Sequence, residues 1–373
     1  MTRGFKLRIA SIAILATLAF LYAGRFGSTP PFRDGSGALV QGSVAEMERV
    51  TLGGVEQWIT IRGRNARAPV LIWLHGGPGQ DETGLSRLYN AALEDHFVVV
   101  YWTQRGAGRS YNSSIPAGSM TLPHFVSDLN QLVGILKSRF RQNKVVLAGH
   151  SWGTNIGVSY AQQYPQNVSA YLGVSQIVNT AESERRSYAW ALAEAKRRDD
   201  QIALSELREI GAPPLSSSSS QIMYSWINKF GGGYYHVDVS VFQLMLQSFR
   251  ASEMTWYDGI KYKAGGEFSR NALAREPTKT DWPQSATKFA MPIFIVAGRY
   301  DHGTDAKLAH EYFDRIEAPD KRFKWFENSA HCPPFEEPTS FNAFIINEVL
   351  PLALKAQRLA PQTPPQPVVS RLT

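Results

Sequence analysis

The chain has 373 residues, 43% hydrophobic and 19% charged, the composition of an ordinary globular protein with length enough to bury a large core. Its formal net charge of +7 sits at the ends: five cations precede the first acidic residue and three follow the last, and without those eight the body stands at −1. That placement argues against a nucleic-acid partner, and the single cysteine, Cys332, rules out an internal disulfide.

Residues 9–23 form an almost unbroken apolar run behind Arg3, Lys6 and Arg8. As a helix it spans about 22 Å, short of the ~30 Å hydrocarbon core and near the upper limit for the apolar region of a signal peptide. Leu21-Tyr22-Ala23 matches an A-x-A cleavage site poorly, which favours a retained membrane anchor over residues 1–24. The positive flank predicts that everything after it is exported, to an extracytoplasmic location whether anchored or released. Residues 25–49, rich in Gly, Ser and Pro toward their start, read as a tether.

Strand patterns follow at 55–62, 69–74 and 97–102, with a helical segment at 85–93 between the last two. A helix over 122–140, a strand over 144–148 and another over 168–174 complete a first α/β unit spanning 50–178. The βαβα alternation predicts a mostly parallel sheet with helices on both faces. Strand alternation then stops. Residues 179–286 carry helices and loops, including a low-complexity stretch at 213–220 and the break Gly231-Gly232-Gly233, which reads as an inserted helical cap. Strands return at 292–297 and 323–326 in a second core part spanning 287–356, and 357–373 reads as a Pro-rich tail.

Chemistry concentrates at the strand ends. Gly149-His150-Ser151-Trp152-Gly153, after a short β-branched run, fits the G-x-S-x-G turn that thrusts a serine out between a strand and a helix. The glycines relieve crowding around a strained Ser151, and the Trp152 amide, opening the next helix, faces the space where a negative oxygen forms. His75-Gly76-Gly77-Pro78-Gly79 follows the 69–74 strand and can bring a second amide, from Gly76 or Gly77, to that oxygen. Asp301 and His331 each lie just past a later strand, giving the order Ser, Asp, His expected when all three project from one sheet edge. The eight histidines show no metal-ligand spacing, so neither metal nor cofactor is expected.

With HGGPG at 75–79, QRGAGRS at 104–110, GHSWG at 149–153, GRYD at 298–301 and SAH at 329–331, the chain resembles the α/β-hydrolase superfamily, and within it the proline iminopeptidase-like group, over about residues 50–350. The resemblance implies an α/β-hydrolase fold with a helical cap. It also implies release of an N-terminal residue, commonly proline, from a short peptide, amide or ester. A cap carboxylate would then bind the free ammonium, with Glu182 and Glu184 as candidates. The group usually has Asp before QRG; here it is Thr103, which puts the substrate rather than the triad in question. An esterase or lactonase on the same scaffold, or a silent hydrolase-like binding protein, are the competing expectations.

Overall fold

A computed structural model describes residues 27–235, 241–274 and 280–359. The anchor segment and nearly all of the Pro-rich tail therefore lie outside the described residues; among those described, no helix is long and apolar enough to cross a membrane.

Eight strands form one sheet: β1 (Val44–Leu52), β2 (Val55–Gly63), β3 (Val70–Leu74), β4 (Val98–Thr103), β5 (Val145–His150), β6 (Val168–Val174), β7 (Ile293–Gly298) and β8 (Lys321–Phe326). Their spatial order is β1-β2-β4-β3-β5-β6-β7-β8, antiparallel for β1–β2 and β2–β4 and parallel from β4 onward. The inner strands β3, β4, β5, β6 and β7 are buried at every position, as strands covered on both faces must be. Alternate residues feed two cores: Ile72, Val100 and Leu147 on one face, Trp73, Tyr101 and Ala148 on the other.

Between β3 and β4 lies helix α1 (Thr83–Tyr89), before β5 helix α2 (Leu122–Phe140), and after β5 helix α3 (Trp152–Gln163). Thr121 caps α2 by accepting from the His124 amide. Inside that first unit, Arg105 and Asp128 form a bidentate pair, Nε to Oδ2 at 2.6 Å and Nη2 to Oδ1 at 2.7 Å, with neither side chain more than 1% exposed. Such a pair survives burial because its remaining atoms are satisfied: Gln57 Nε2 donates to Asp128 and Arg105 Nη1 to the Ser119 carbonyl. It ties the QRG turn to the middle of α2.

From β6 to β7 the chain runs through helices α4 (Thr180–Arg197), α5 (Gln201–Ile210), α6 (Ser217–Lys229), α7 (Val241–Ser248), α8 (Trp256–Leu273) and the short α9 (Trp282–Ser285). The serine-rich stretch read as low complexity starts α6, with Ser216 as its N-cap accepting from the Ser219 amide. α4, α5 and α6 share a small core of Ala191, Leu204, Leu207, Met223 and Ile227. The second half of the insertion is tied to α1 and to the turn after β4 by largely buried ion pairs, Arg87 to Glu253 at 2.8 Å and Arg109 to Asp258.

The N-terminal side corrects the sequence reading. Residues 27–43 are not a free tether: Phe32 is 9% exposed with the Arg62 guanidinium 4.5 Å from its ring centre, and Arg62 donates to the Pro30 carbonyl at 2.7 Å. Thr29 donates to Glu253. β1 then begins at Val44, inside the stretch read as linker, and pairs along its whole length with β2. Gly, Ser and Pro composition describes backbone freedom and is silent about a single Phe that finds a cation.

Candidate active site

At the carboxyl end of β5 the chain turns through Ser151 with φ of 50° and ψ of −117°, a backbone conformation strained for any residue with a side chain. The flanking glycines are steric necessities. A Cβ at Gly149 would stand 2.7 Å from the Gly153 carbonyl oxygen, and one at Gly153 would collide with the Leu74 carbonyl of the neighbouring strand. The Ser151 amide donates to the Val174 carbonyl on β6, fixing the turn. Ser151 is the N-cap residue of α3, yet its hydroxyl makes no cap hydrogen bond and has no partner among the described residues. A serine in that position normally caps its helix; here Oγ is held in reserve.

Asp301 follows β7 and is 2% exposed. Its Oδ1 accepts from the amides of Gly303 at 2.9 Å and Thr304 at 3.0 Å, and its Oδ2 from Thr304 Oγ1 at 2.7 Å and His331 Nδ1 at 3.0 Å. Burial alone would raise this acid; the His331 charge and hydrogen bond, with the Thr304 donors, outweigh it and hold the carboxyl well below the usual carboxylate range. His331 follows β8, and its loop is pinned on both sides by Glu336, whose carboxylate accepts from the Ala330 amide at 3.0 Å and the Cys332 amide at 2.9 Å. The His331 carbonyl accepts from Ser175 Oγ at 2.8 Å, at the end of β6, and from His150 Nε2 at 2.9 Å, at the elbow itself. The His150 and His331 rings lie 5.2 Å apart. Thus the three loops carrying Ser151, Asp301 and His331 meet at one edge of the sheet. Among the described residues no hydrogen bond joins Ser151 Oγ to His331 in this geometry.

The 75–79 loop lies against the elbow: a Cβ on Gly76 would be 3.3 Å from the Ser151 Cβ. Of the two amides the sequence offers for the oxyanion, that of Gly76 donates to Glu82 Oε1 at 2.9 Å. The amides of Gly77 and Trp152 have no acceptor among the described residues. His75 donates from Nδ1 to the Gly76 carbonyl and accepts the Gln104 amide at Nε2, which fixes it as the neutral Nδ1–H tautomer and joins the loop to the QRG turn. Thr103, where the group usually has Asp, donates to Asp81 Oδ2 at 3.1 Å, so a carboxylate still stands beside that strand end, supplied from 22 residues away.

The two cap carboxylates separate. Glu182 is committed to Arg185 at 2.6 Å and Arg186 at 2.7 Å, and the first of these hydrogen bonds leads in pulling its acid down to about 2. Glu184 has no cationic partner among the described residues; it accepts from Ser220 Oγ at 2.9 Å and the Leu215 amide at 3.2 Å. The Tyr224 phenol is pushed up to about 12, by desolvation first and then by the carboxylates of Glu184 and Asp301 together. A cavity of about 520 Å³ borders the acid loop, between Trp190, Tyr235, Tyr300 and His302, but neither Ser151 nor His331 lines it. Among the described residues no group of three or more His, Cys, Asp or Glu is arranged to hold a metal.

Sequence reasoning missed Glu82, Glu336 and the role of His150. Glu82 sits three residues past the 75–79 motif with nothing in the local pattern to mark it, and His150 occupies the variable position of its own motif.

Residues 69–338 match the family model described as alpha/beta hydrolase fold. The chain is 33% identical over 300 residues to the "Probable aminopeptidase YbaC" of Bacillus subtilis (strain 168), covering 80% of this chain and 94% of that one. It is 25% identical over 292 residues to a proline iminopeptidase of Heyndrickxia coagulans, covering 74% and 88% respectively. Among solved structures, a proline iminopeptidase-related protein of Thermus thermophilus superposes with a TM-score of 0.58 at 22% identity, covering 84% of this chain and 98% of that one.

Proposed function

The chain belongs to the alpha/beta hydrolase fold family, and from that premise we propose that it is a serine aminopeptidase that releases an N-terminal residue, commonly proline, from short peptides and amides. The observation that carries the reading is Ser151: a hydroxyl without a partner among the described residues, on a strained backbone at a strand–helix turn, with the Asp301–His331 pair past the ends of β7 and β8 on the same sheet edge. His331 takes the serine proton as Oγ attacks the carbonyl, and Asp301 fixes the imidazole with its proton on Nδ1 and stabilises the imidazolium. The Gly77 and Trp152 amides receive the oxyanion, each worth on the order of 10²-fold in rate. His331 then protonates the departing nitrogen, and water repeats the sequence to free the acyl group.

Glu184 is the group we assign to the substrate ammonium. Among the described residues it has no cation beside it, whereas Glu182 already has two. Glu184→Gln should raise KM for proline arylamide by about 10-fold or more, the worth of a charge-assisted hydrogen bond, while leaving short acyl esters unaffected. Steady-state kinetics on both substrates checks this. Equal losses on both, or a wild-type enzyme indifferent to a free amine, would favour an esterase or lactonase instead.

The export reading of residues 1–24 supports an extracytoplasmic, membrane-anchored enzyme. Mass of the mature chain after membrane fractionation should retain Met1 or its immediate neighbours; a start near residue 24 in a soluble fraction would replace the anchor with a cleaved leader.

A further inference from the structure

Beside the triad lies a second charged pair that the reaction does not use. Glu82 and His150 are 7% and 3% exposed. Glu82 Oε1 accepts from both the Gly76 amide at 2.9 Å and His150 Nδ1 at 2.7 Å, and Oε2 accepts from Trp73 Nε1 at 2.8 Å. The other ring nitrogen, Nε2, lies 2.9 Å from the His331 carbonyl oxygen.

The partners decide the protonation. A carboxylate and a carbonyl oxygen can only accept, so both ring nitrogens of His150 carry hydrogen and the ring is an imidazolium. Glu82 faces three donors and needs no proton of its own. The environment agrees: burial disfavours both charges, yet each partner overrides it for the other, raising His150 well above its ordinary value and lowering Glu82. Burying such a pair is costly unless its geometry and remaining hydrogen bonds are complete. Here they are, and each bond ends on a different part of the site: the oxyanion loop, the nucleophile elbow and the histidine loop.

We propose that Glu82 and His150 are positioning residues, a charged strut that sets the spacing between the Gly76–Gly77 peptide, Ser151 and His331. With the Gly76 amide held by Glu82, the next peptide is oriented to present its N–H to the oxyanion. With the His331 carbonyl held by His150, the imidazole is kept in register with the serine. Neither residue touches the reacting atoms. The inference rests on the serine mechanism proposed above.

The test is turnover per titrated active site in Glu82→Gln, His150→Gln and the double variant, with sites counted by the end point of fluorophosphonate labelling. A residue that only holds the fold lowers the number of titratable sites, not the turnover of each. The expectation is a loss of about 10- to 100-fold in kcat per site, the effect of displacing reacting groups by about 1 Å, with KM within about twofold. The double variant should lose no more than either single, because both remove one strut. Per-site turnover within twofold of wild type in either folded single variant would overturn the strut, and so would losses that multiply in the double. A wild-type protein that neither labels nor turns over would instead refute the serine mechanism itself.

Discussion

Ser151→Ala is expected to abolish fluorophosphonate labelling and to lower kcat for proline arylamide by about 10⁶-fold, the scale on which serine nucleophiles fail when removed. Alanine keeps the backbone of the elbow at the same strained φ of 50° and the Val174 bond intact, so the loss is chemical rather than structural. Since Oγ makes no hydrogen bond among the described residues, its removal leaves no buried group unpaired and the melting temperature should move little. Residual hydrolysis above the water rate would come from the oxyanion amides and substrate binding alone. Turnover and labelling undiminished in this variant would eliminate the covalent mechanism.

Asp301→Asn should cost about 10⁴-fold in kcat at neutral pH, for a reason visible in its four donors. Oδ1 accepts from two backbone amides, of Gly303 and Thr304, and no amide nitrogen can replace it there. The new NH₂ must therefore take the place of Oδ2 and donate to His331 Nδ1. That moves the imidazole proton to Nε2, the nitrogen that has to receive the serine proton, and the base is lost. The same substitution has a stability signature. The Asp301 carboxyl is held below its unfolded value, so the stabilisation it contributes is fully present above about pH 4 and is lost as pH falls through the folded value. Urea unfolding of wild type and Asp301→Asn should accordingly differ most at neutral pH and converge in strong acid. A kcat within tenfold of wild type would show that the carboxylate does not set the tautomer.

Some of this site was legible as local pattern. Gly149 and Gly153 announce a turn too crowded for side chains, and the collisions a Cβ would meet there bear out that steric reading. Asp301 and His331 stand immediately beyond strands of the sheet, and its parallel part places all such positions on one edge. The boundaries of α2 and β6 follow from periodicity and capping, which are properties of contiguous residues.

What only the tertiary structure decided concerns partners distant in the chain. Two glutamates two positions apart on one helix are equal in the sequence, yet Glu182 turns toward Arg185 and Arg186 while Glu184 turns toward Ser220 and meets no cation among the described residues. Gly76 and Gly77 are equal in composition, yet a carboxylate six residues on consumes the amide of the first. Phe32 and Thr29 read as linker because nothing near them in the sequence signals an element; Arg62 and Glu253 give them a place. By itself the sequence determined the fold class and where the nucleophile, acid and base could stand, because backbone geometry and burial period are written in adjacent residues. Which polar groups were already spent, and which remained free to act on a substrate, was settled by hydrogen bonds between residues distant in the chain, 68 positions apart in the Glu82–His150 pair and 181 between His150 and His331, since those bonds exist only once the strands carrying them lie side by side.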